Sequence, residues 1–362
     1  MVNAAMLENK GCEFLHIILP YFSFWGTIPS KFLKFSKFLR IIMLYRIAFC
    51  VVAAFLTTGL SAAELMLKQT DTGYEIRIGD TFFAGYITDY EGAPIVHPIL
   101  GPSGKNMTRN FPMKRDYEPI QADHPHQRSF WFAHGSINGF DFWNAFARPL
   151  ATRYKIVHKR FVKAESDGQT AVLVAENEWI GNDQLLCRDV RTLRFSATEN
   201  MRIIDFDIMF TAEQDKVVFG DTKEGTFGVR VPEVLAVDSR KEGRIVNAEG
   251  AVNGDAWGKR SAWVDYHGLI DDEKVGIAIL NHPSSFRFPT YWHVRGYGLF
   301  AANPFGVRDF ETESQGGDRT IQRGAGELTL SKGESFTLRY RVLFHVNEAN
   351  IADAFKEYAE IP

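Results

Sequence analysis

Cysteine is scarce in this sequence. Of the 362 residues, three are cysteine, and just one of them, Cys187, follows residue 63. A single cysteine cannot form an intrachain disulfide, so cross-links do not stabilise this part of the chain. Burial of apolar side chains must stabilise it instead. With 14% aromatic residues, a sequence of this length can form a sizeable core.

An excess of basic residues is also lacking. The chain has 41 Lys and Arg against 44 Asp and Glu, a formal net charge of −3. Six of the basic and two of the acidic residues precede residue 64, so the remainder carries 35 basic against 42 acidic residues. This acidic balance offers no electrostatic footprint for nucleic acid, and we expect none as a partner.

No apolar run reaches the roughly 20 residues that a membrane-spanning helix needs. The most apolar stretch, residues 47–60, follows a basic and aromatic segment, residues 31–40, and ends in small residues before Glu64. This order is typical of a secretory signal peptide cleaved before Glu64. It predicts a periplasmic or secreted protein that does not associate with membranes after cleavage. A start at Met43 would make residues 1–42 a gene-model artefact, and a retained membrane anchor is the alternative.

Beyond the leader, apolar and polar residues alternate with a period of two. About fourteen segments carry this pattern, and the residues between them favour tight turns. The clearest series covers residues 154–163, 170–179, 184–197 and 201–210, which predicts an antiparallel meander. Helical periodicity is confined to residues 349–360. We therefore predict that residues 64–362 form one all-β domain, a large antiparallel β-sandwich with a short C-terminal helix.

The densest group of polar and aromatic residues lies between Asp123 and Trp143. It contains His124, His126, His134, Arg128, Asp141 and Trp131 in addition to its two end residues. A buried His or Asp without a hydrogen-bonding partner costs about 1–3 kcal/mol, so such density is unusual in a structural segment. The stretch predicts a polar ligand pocket, and the alternative is a polar loop that caps a sheet.

Two further segments contain candidates for proton transfer or binding. In residues 220–230, Glu224 stands between Lys223 and Arg230 and is the best carboxylate for a general base, with Asp221 and Asp141 as alternatives. A third segment contributes His282, His293, Trp292 and Asn303. Only one of Trp292 and His293 can face a given side of a strand.

The histidine spacing also fits a metal site. His124 and His126 are two residues apart, so both lie on one face of an extended segment, and His134 would be a third ligand. The long-range spacing of a recognised metal signature is absent. General acid-base chemistry and structural hydrogen bonding remain open for the same residues.

Several motifs carry a resemblance to a known family. These are Asp-His-Pro-His-Gln-Arg at 123–128, Trp-Phe-Ala-His-Gly at 131–135, Asn-Gly-Phe-Asp-Phe-Trp at 138–143, residues 221–230, and Asn-His-Pro at 281–283 with Ala-Asn-Pro at 302–304. Together they resemble the secreted bacterial PmoA-like family, also called "methane oxygenase PmoA". Gln127 and Ser129 depart from the family pattern. The resemblance implies a supersandwich similar to galactose mutarotase, in which histidines and a carboxylate on a concave sheet move protons on a sugar.

We therefore expect an exported carbohydrate-active enzyme of the epimerase, lyase or hydrolase type, without a cofactor. The residues expected to act in catalysis, with Glu224 as the base, are His124, His126, His134, Glu224, His282 and His293. Those expected to bind the sugar, through arginine anchors and tryptophan stacking among others, are Asp123, Arg128, Trp131, Asp141, Trp143, Lys223, Arg230, Trp292 and Asn303. The alternatives are a non-catalytic carbohydrate-binding protein and a metal-dependent enzyme that uses His124, His126 and His134.

Overall fold

Alternating apolar and polar residues give rise to two large antiparallel sheets. The computed structural model describes residues 64–114, 122–145, 154–314 and 317–362. The predicted leader lies outside these residues, and the domain boundary at residue 63 stays a prediction. Within the described residues, the first sheet has the strand order β1-β2-β3-β4-β5-β11-β16-β15. These strands are β1 (Leu65–Thr70), β2 (Gly73–Ile78), β3 (Thr81–Tyr90), β4 (Ala93–Ile99), β5 (Phe130–His134), β11 (Gly225–Arg230), β15 (Tyr291–Val294) and β16 (Leu299–Asn303).

The second large sheet has the order β12-β13-β14-β18-β9-β8-β7-β6 in the same described part of the chain. Its strands are β6 (Tyr154–Ser166), β7 (Ala171–Gly181), β8 (Gln184–Ala197), β9 (Met201–Ala212), β12 (Arg244–Asn247), β13 (Trp263–Ile270), β14 (Glu273–Asn281) and β18 (Ser335–Val346). A small ribbon pairs β10 (Val217–Phe219) with β17 (Leu328–Leu330). The helices are α1 (Val307–Glu313) and α2 (Ile351–Ala359), and short 3-10 turns cover Glu233–Leu235, Val237–Ser239 and Asn253–Ala256.

Aromatic side chains fill the space between the two sheets. Every second residue of β7 from Ala171 to Trp179 is buried. Trp179 packs against Phe132 of β5 with ring centroids 6.3 Å apart, and Phe206 of β9 packs against Phe130 at 5.5 Å. Full burial of one such side chain contributes about 1.5–3 kcal/mol. The period-two pattern thus produces the core that joins the sheets, and the predicted β-sandwich is confirmed.

The predicted meander is confirmed as well, because β6 to β9 pair antiparallel in sequence order. The predicted C-terminal helix is α2, and the side chain of Asn350 caps it by accepting a hydrogen bond from the backbone N–H of Asp353. The prediction of a single helix is wrong. Helix α1 has seven residues, which is too short for a helical period to be visible in the sequence. Only Phe310 of this helix is buried. Across the described residues, none of the helices has the length and apolar character to cross a membrane.

Two central strands of the first sheet fix the position of Glu224. In the β5–β11 pair, Gly225 lies opposite His134. Just beyond this pair, the N–H of Gly135 donates to the carbonyl of Glu224 at 2.6 Å. A Cβ atom on Gly135 would lie 2.8 Å from the Cβ of Glu224, so this close approach requires glycine. The sheet therefore brings Glu224 next to the histidine-rich segment.

Candidate active site

A pocket of about 530 Å³ opens at this end of the first sheet. Its lining residues come from the loop before β5, the segment after β5, the two residues before β11, the turn Val237–Ser239, and β15 with the turn that follows it. They are His124, His126, Gln127, Asn144, Lys223, Glu224, Asp238, His293, Arg295, Gly296 and Tyr297. The volume falls within the roughly 300–1,000 Å³ of small-molecule sites. The walls are unusually rich in ionisable groups for such a site.

Asp123 supports the pocket from behind. Its Oδ1 accepts hydrogen bonds from Arg109 at 2.7 Å and Arg230 at 3.1 Å, and its Oδ2 accepts one from Nδ1 of His124 at 2.7 Å. Burial alone would raise the pKa of Asp123, but Arg230, the His124 hydrogen bond and Arg109 together lower it. The carboxylate is therefore charged at neutral pH and holds the Nδ1 proton of His124, so Nε2 is the nitrogen available to a ligand.

His124 is also fixed by its backbone and by an aromatic neighbour. Its φ is 49°, in the left-handed region that few non-glycine residues adopt. Its ring stacks on Tyr297 with centroids 4.9 Å apart and an interplanar angle of 9°. Arg230 contacts the same tyrosine ring at 4.8 Å. A strained residue held by several neighbours is typical of a functional site.

His126 and His293 are neutral imidazoles in the wall of the pocket. Burial, followed by the charges of His124 and Arg230, lowers the pKa of His126 from 6.5 to about 4. Burial lowers the pKa of His293 to about 3. Nδ1 of His293 lies 2.8 Å from the carbonyl oxygen of Lys223. Because a carbonyl can only accept, Nδ1 carries the proton and Nε2 is a hydrogen-bond acceptor.

Glu224 has the opposite perturbation. Burial raises its pKa above 4.5, Lys223 lowers it, and the negative charge of Asp141 raises it again. Asp141 itself binds the backbone N–H and side-chain amide of Asn144 at 2.9 and 3.0 Å. The pocket thus combines a carboxyl group of raised pKa with imidazoles of lowered pKa. Such opposed shifts are characteristic of groups that exchange protons with a ligand.

A family model described as a family of unknown function matches residues 73–359. The chain belongs to this family, DUF6807. The match does not confirm the finer PmoA-like name that the motifs suggested. Among curated proteins, none matches this DUF6807 chain.

Solved structures similar to this DUF6807 chain include proteins named for sugar chemistry. A 4-alpha-glucanotransferase from Thermococcus litoralis is 12% identical with a TM-score of 0.31, covering 78% of this chain and 39% of its own. A galactose mutarotase-like protein from Clostridium acetobutylicum is 9% identical with a TM-score of 0.38, covering 79% and 99%. A galactose mutarotase related enzyme from Lactobacillus acidophilus is 9% identical with a TM-score of 0.28, covering 78% and 95%. The chain thus spans about two fifths of the glucanotransferase, and scores this low carry no activity over to it.

Several predicted site residues of the DUF6807 chain line the pocket and others stand behind it. His124, His126, Lys223, Glu224 and His293 line it. Asp123, Asp141 and Arg230 do not line it but form hydrogen bonds with the lining residues His124, Asn144 and Gln127 respectively. Asn303 also stands behind it and donates to the carbonyl of Thr222 at 2.9 Å, next to the Glu224 segment.

The tryptophans do not form stacking surfaces. Trp131, Trp143 and Trp292 are at most 2% exposed. Trp131 and Trp143 pack against each other with centroids 5.2 Å apart, and Nε1 of Trp292 donates to the carbonyl of Ser261 at 2.9 Å. The prediction that they contact a sugar is wrong because the core between and beneath the sheets takes up these large apolar rings.

Two arginine anchors are also corrected. Arg128 is fully buried, and its guanidinium donates to the carbonyl of Tyr90 and lies 5.7 Å from that tyrosine ring. Arg230 is fully buried as well and donates to Gln127 and Asp123. Neither lines the pocket, so their charges hold protein groups and do not contact a ligand there.

His282 and His134 lie away from the pocket lining. His282 packs against Tyr358 of α2 with centroids 4.9 Å apart, and its Nδ1 lies 2.8 Å from Oγ of Ser284. His134 is fully buried, with Nε2 3.0 Å from the carbonyl of Gly220. His134 therefore does not join His124 and His126 as a metal ligand. Across the described part of the chain, no group of three or more His, Cys, Asp or Glu residues is arranged to hold a metal ion.

Six pocket residues were not among the predicted site residues. They are Gln127, Asn144, Asp238, Arg295, Gly296 and Tyr297. Arg295 and Tyr297 lie directly after the Trp-His pair of β15, so that motif is the signal that points to them. Asp238 has no sequence signal, because a tertiary contact places it here: its backbone N–H donates to the carbonyl of Gly296 at 3.0 Å.

Proposed function

We propose that this chain is a carbohydrate-active enzyme and that the pocket binds a sugar. The observation that carries the proposal is that Glu224, whose pKa burial raises, lines the same pocket as His124, whose Nδ1 is held by Asp123 at 2.7 Å. A base and an acid facing one cavity are what epimerisation, elimination and hydrolysis of a sugar each require. The mainly polar lining supplies donors and acceptors for hydroxyl groups.

The geometry supports distinct roles for these residues. Glu224 acts as the general base, because a carboxylate of raised pKa takes a proton more strongly than an ordinary one. His124 acts as the acid through Nε2, since Asp123 holds its Nδ1 proton and stabilises positive charge on the ring. The neutral His126 and His293 bind hydroxyl groups, with Nε2 of His293 as an acceptor.

The variant Glu224→Gln tests the proposal. We expect turnover of the reactive sugar, or exchange of its carbon-bound hydrogen in D₂O, to fall roughly 10²- to 10⁴-fold in this variant. Its thermal unfolding should stay close to wild type because Gln is isosteric. Glu242→Gln, which alters a carboxylate in a different pocket, is the matched control and should retain activity.

Two outcomes would contradict the enzyme. One is wild-type turnover in Glu224→Gln. The other is tight sugar binding without product or hydrogen exchange over a broad panel, which would make the chain a carbohydrate-binding protein.

We also propose that the enzyme is exported, because the segment before Glu64 has the order of a signal peptide. Expression of the full chain in a bacterial host should give a mature protein outside the cytoplasm. Its N-terminal sequence should begin at or near Glu64. Recovery of the uncleaved chain in the cytoplasm would refute export.

A further inference from the structure

Arg295 is a pocket cation whose guanidinium lies over an aromatic ring. Its side chain lines the pocket, half-buried, with the guanidinium 4.3 Å from the ring centre of Trp257. Among the described residues, no acceptor forms a hydrogen bond or an ion pair with this guanidinium. The other nearby cations are engaged, since Arg230 donates to Asp123 at 3.1 Å and Nζ of Lys223 donates to Glu313 at 2.9 Å.

Such an arrangement is costly unless a ligand completes it. Burial lowers the pKa of Arg295, and the negative charges of Glu313 and Glu224 offset this only in part, yet a guanidinium stays protonated at neutral pH. The cation–π contact with Trp257 holds the guanidinium in place, and a guanidinium carries its N–H donors in a planar fork. A planar fork of donors matches a carboxylate, which accepts two parallel hydrogen bonds.

We propose that the sugar bound in this pocket carries a carboxylate, as a uronic acid does, and that Arg295 binds that carboxylate. This inference rests on the proposed function. The charges on the walls also give the ligand an orientation. Arg295 attracts the carboxylate and Glu224 repels it, so the carboxylate lies against the guanidinium. The hydroxyl-bearing ring then faces Glu224 and the imidazoles.

The experiment compares binding of acidic and neutral sugars to the full chain by calorimetry. The probes are D-glucuronate, D-galacturonate and short oligomers of each, with D-glucose, D-galactose and their oligomers as neutral counterparts. We expect preference for an acidic probe. Arg295→Gln should weaken its binding roughly 10- to 100-fold, because a charge-assisted pair is lost. Arg295→Lys keeps the charge and should weaken it less.

Controls separate binding from folding. Arg160→Gln removes an exposed arginine that pairs with Glu176 on β7 and should bind as wild type. Unfolding curves show whether each variant is folded. If Arg295→Gln is misfolded, the loss of acidic-probe affinity is measured in Arg295→Lys instead.

Equal affinity for acidic and neutral probes, an unchanged acidic affinity in Arg295→Gln, or no binding of any acidic probe would each overturn the inference. If neutral sugars bind and are turned over in a Glu224-dependent way, the proposed function stands without it.

Discussion

Two histidine clusters in this molecule each contain a hydrogen-bonded Asp–His pair, but the surroundings of the two pairs differ. In the candidate active site, Asp123 accepts from Nδ1 of His124 at 2.7 Å. On β13 of the second sheet, Asp265 accepts from Nδ1 of His267 at the same 2.7 Å. Both clusters line pockets, of about 530 and 480 Å³ respectively. An Asp–His pair beside a cavity is therefore not enough to identify an active site.

What differs is where the remaining bonds of each aspartate go. Asp265 uses its second oxygen for Nε2 of His345 at 3.1 Å, and burial is outweighed by these two histidines, which lower its pKa. Its neighbour Tyr266 packs into the core against Phe300, so Asp265 faces outward. In this second cluster, both carboxylate oxygens of Asp265 are therefore bonded by histidines of the cluster itself. Asp123 is instead held by two buried arginines and presents one histidine to a cavity that also contains Glu224.

The largest effect expected from this contrast is acid sensitivity. Burial lowers the pKa values of His126, His134 and His293 from 6.5 to about 4, 3 and 3. The unfolded chain binds protons near pH 6.5, so it holds more protons than the folded chain between pH 6.5 and 4. The stabilising contribution of these three neutral histidines is therefore complete above pH 6.5 and is lost as the pH falls, by on the order of 10 kcal/mol in total at pH 4.

Urea unfolding at half-unit pH intervals measures this slope. His134→Gln should reduce it by about one proton. Glu224 contributes with the opposite sign, because its raised pKa makes the folded state the better proton binder above pH 4.5. Repeating the series in Glu224→Gln should thus steepen the fall. A stability that stays constant from pH 6.5 to 4 would show that these histidines are not buried as neutral rings.

The next effect separates the two aspartates. Asp265→Asn should lower the free energy of unfolding by about 1.5–3 kcal/mol, since two hydrogen bonds to a charged acceptor are weakened. It should leave turnover unchanged. Asp123→Asn should lower both stability and turnover, because it faces Arg109 and Arg230 as well as His124. Equal turnover in the two variants would make the clusters equivalent and remove the reason to prefer the first.

The sequence predicted those features that depend on local patterns. Alternation located the strands, since each buried face repeats every second residue. The polar density between Asp123 and Trp143, with Glu224, identified segments that lie together, since His124, His126 and Glu224 share one pocket. The same segment contains Trp143, for which the predicted contact with a sugar was wrong. Nothing local distinguishes an aromatic ring that faces a ligand from one that faces the core.

Features that depend on tertiary contacts were missed. His282 belongs to a motif that resembles the family, but the end of β14 carries it to α2 and Tyr358. Arg295 follows the Trp-His pair of β15, but the sequence does not show whether its charge is paired. Only the folded structure places its guanidinium over Trp257, with no hydrogen-bond acceptor for it among the described residues. The chemistry of a pocket wall is set by which groups remain unsatisfied, and this cannot be read before the chain is folded.

The smallest expected effect concerns Tyr297, whose ring stacks on His124 in the first cluster. Among the described contacts, no aromatic ring stacks on the histidines of the second cluster. Tyr297→Phe removes a 3.4 Å hydrogen bond from Gln127 but keeps the ring that stacks on His124. We expect less than about 1 kcal/mol of destabilisation and turnover within about twofold of wild type. Tyr297→Leu removes the ring and should reduce turnover further than Tyr297→Phe at similar stability. If both variants reduce turnover equally, the hydroxyl is the functional group, and Tyr297 would act on the ligand directly instead of orienting His124.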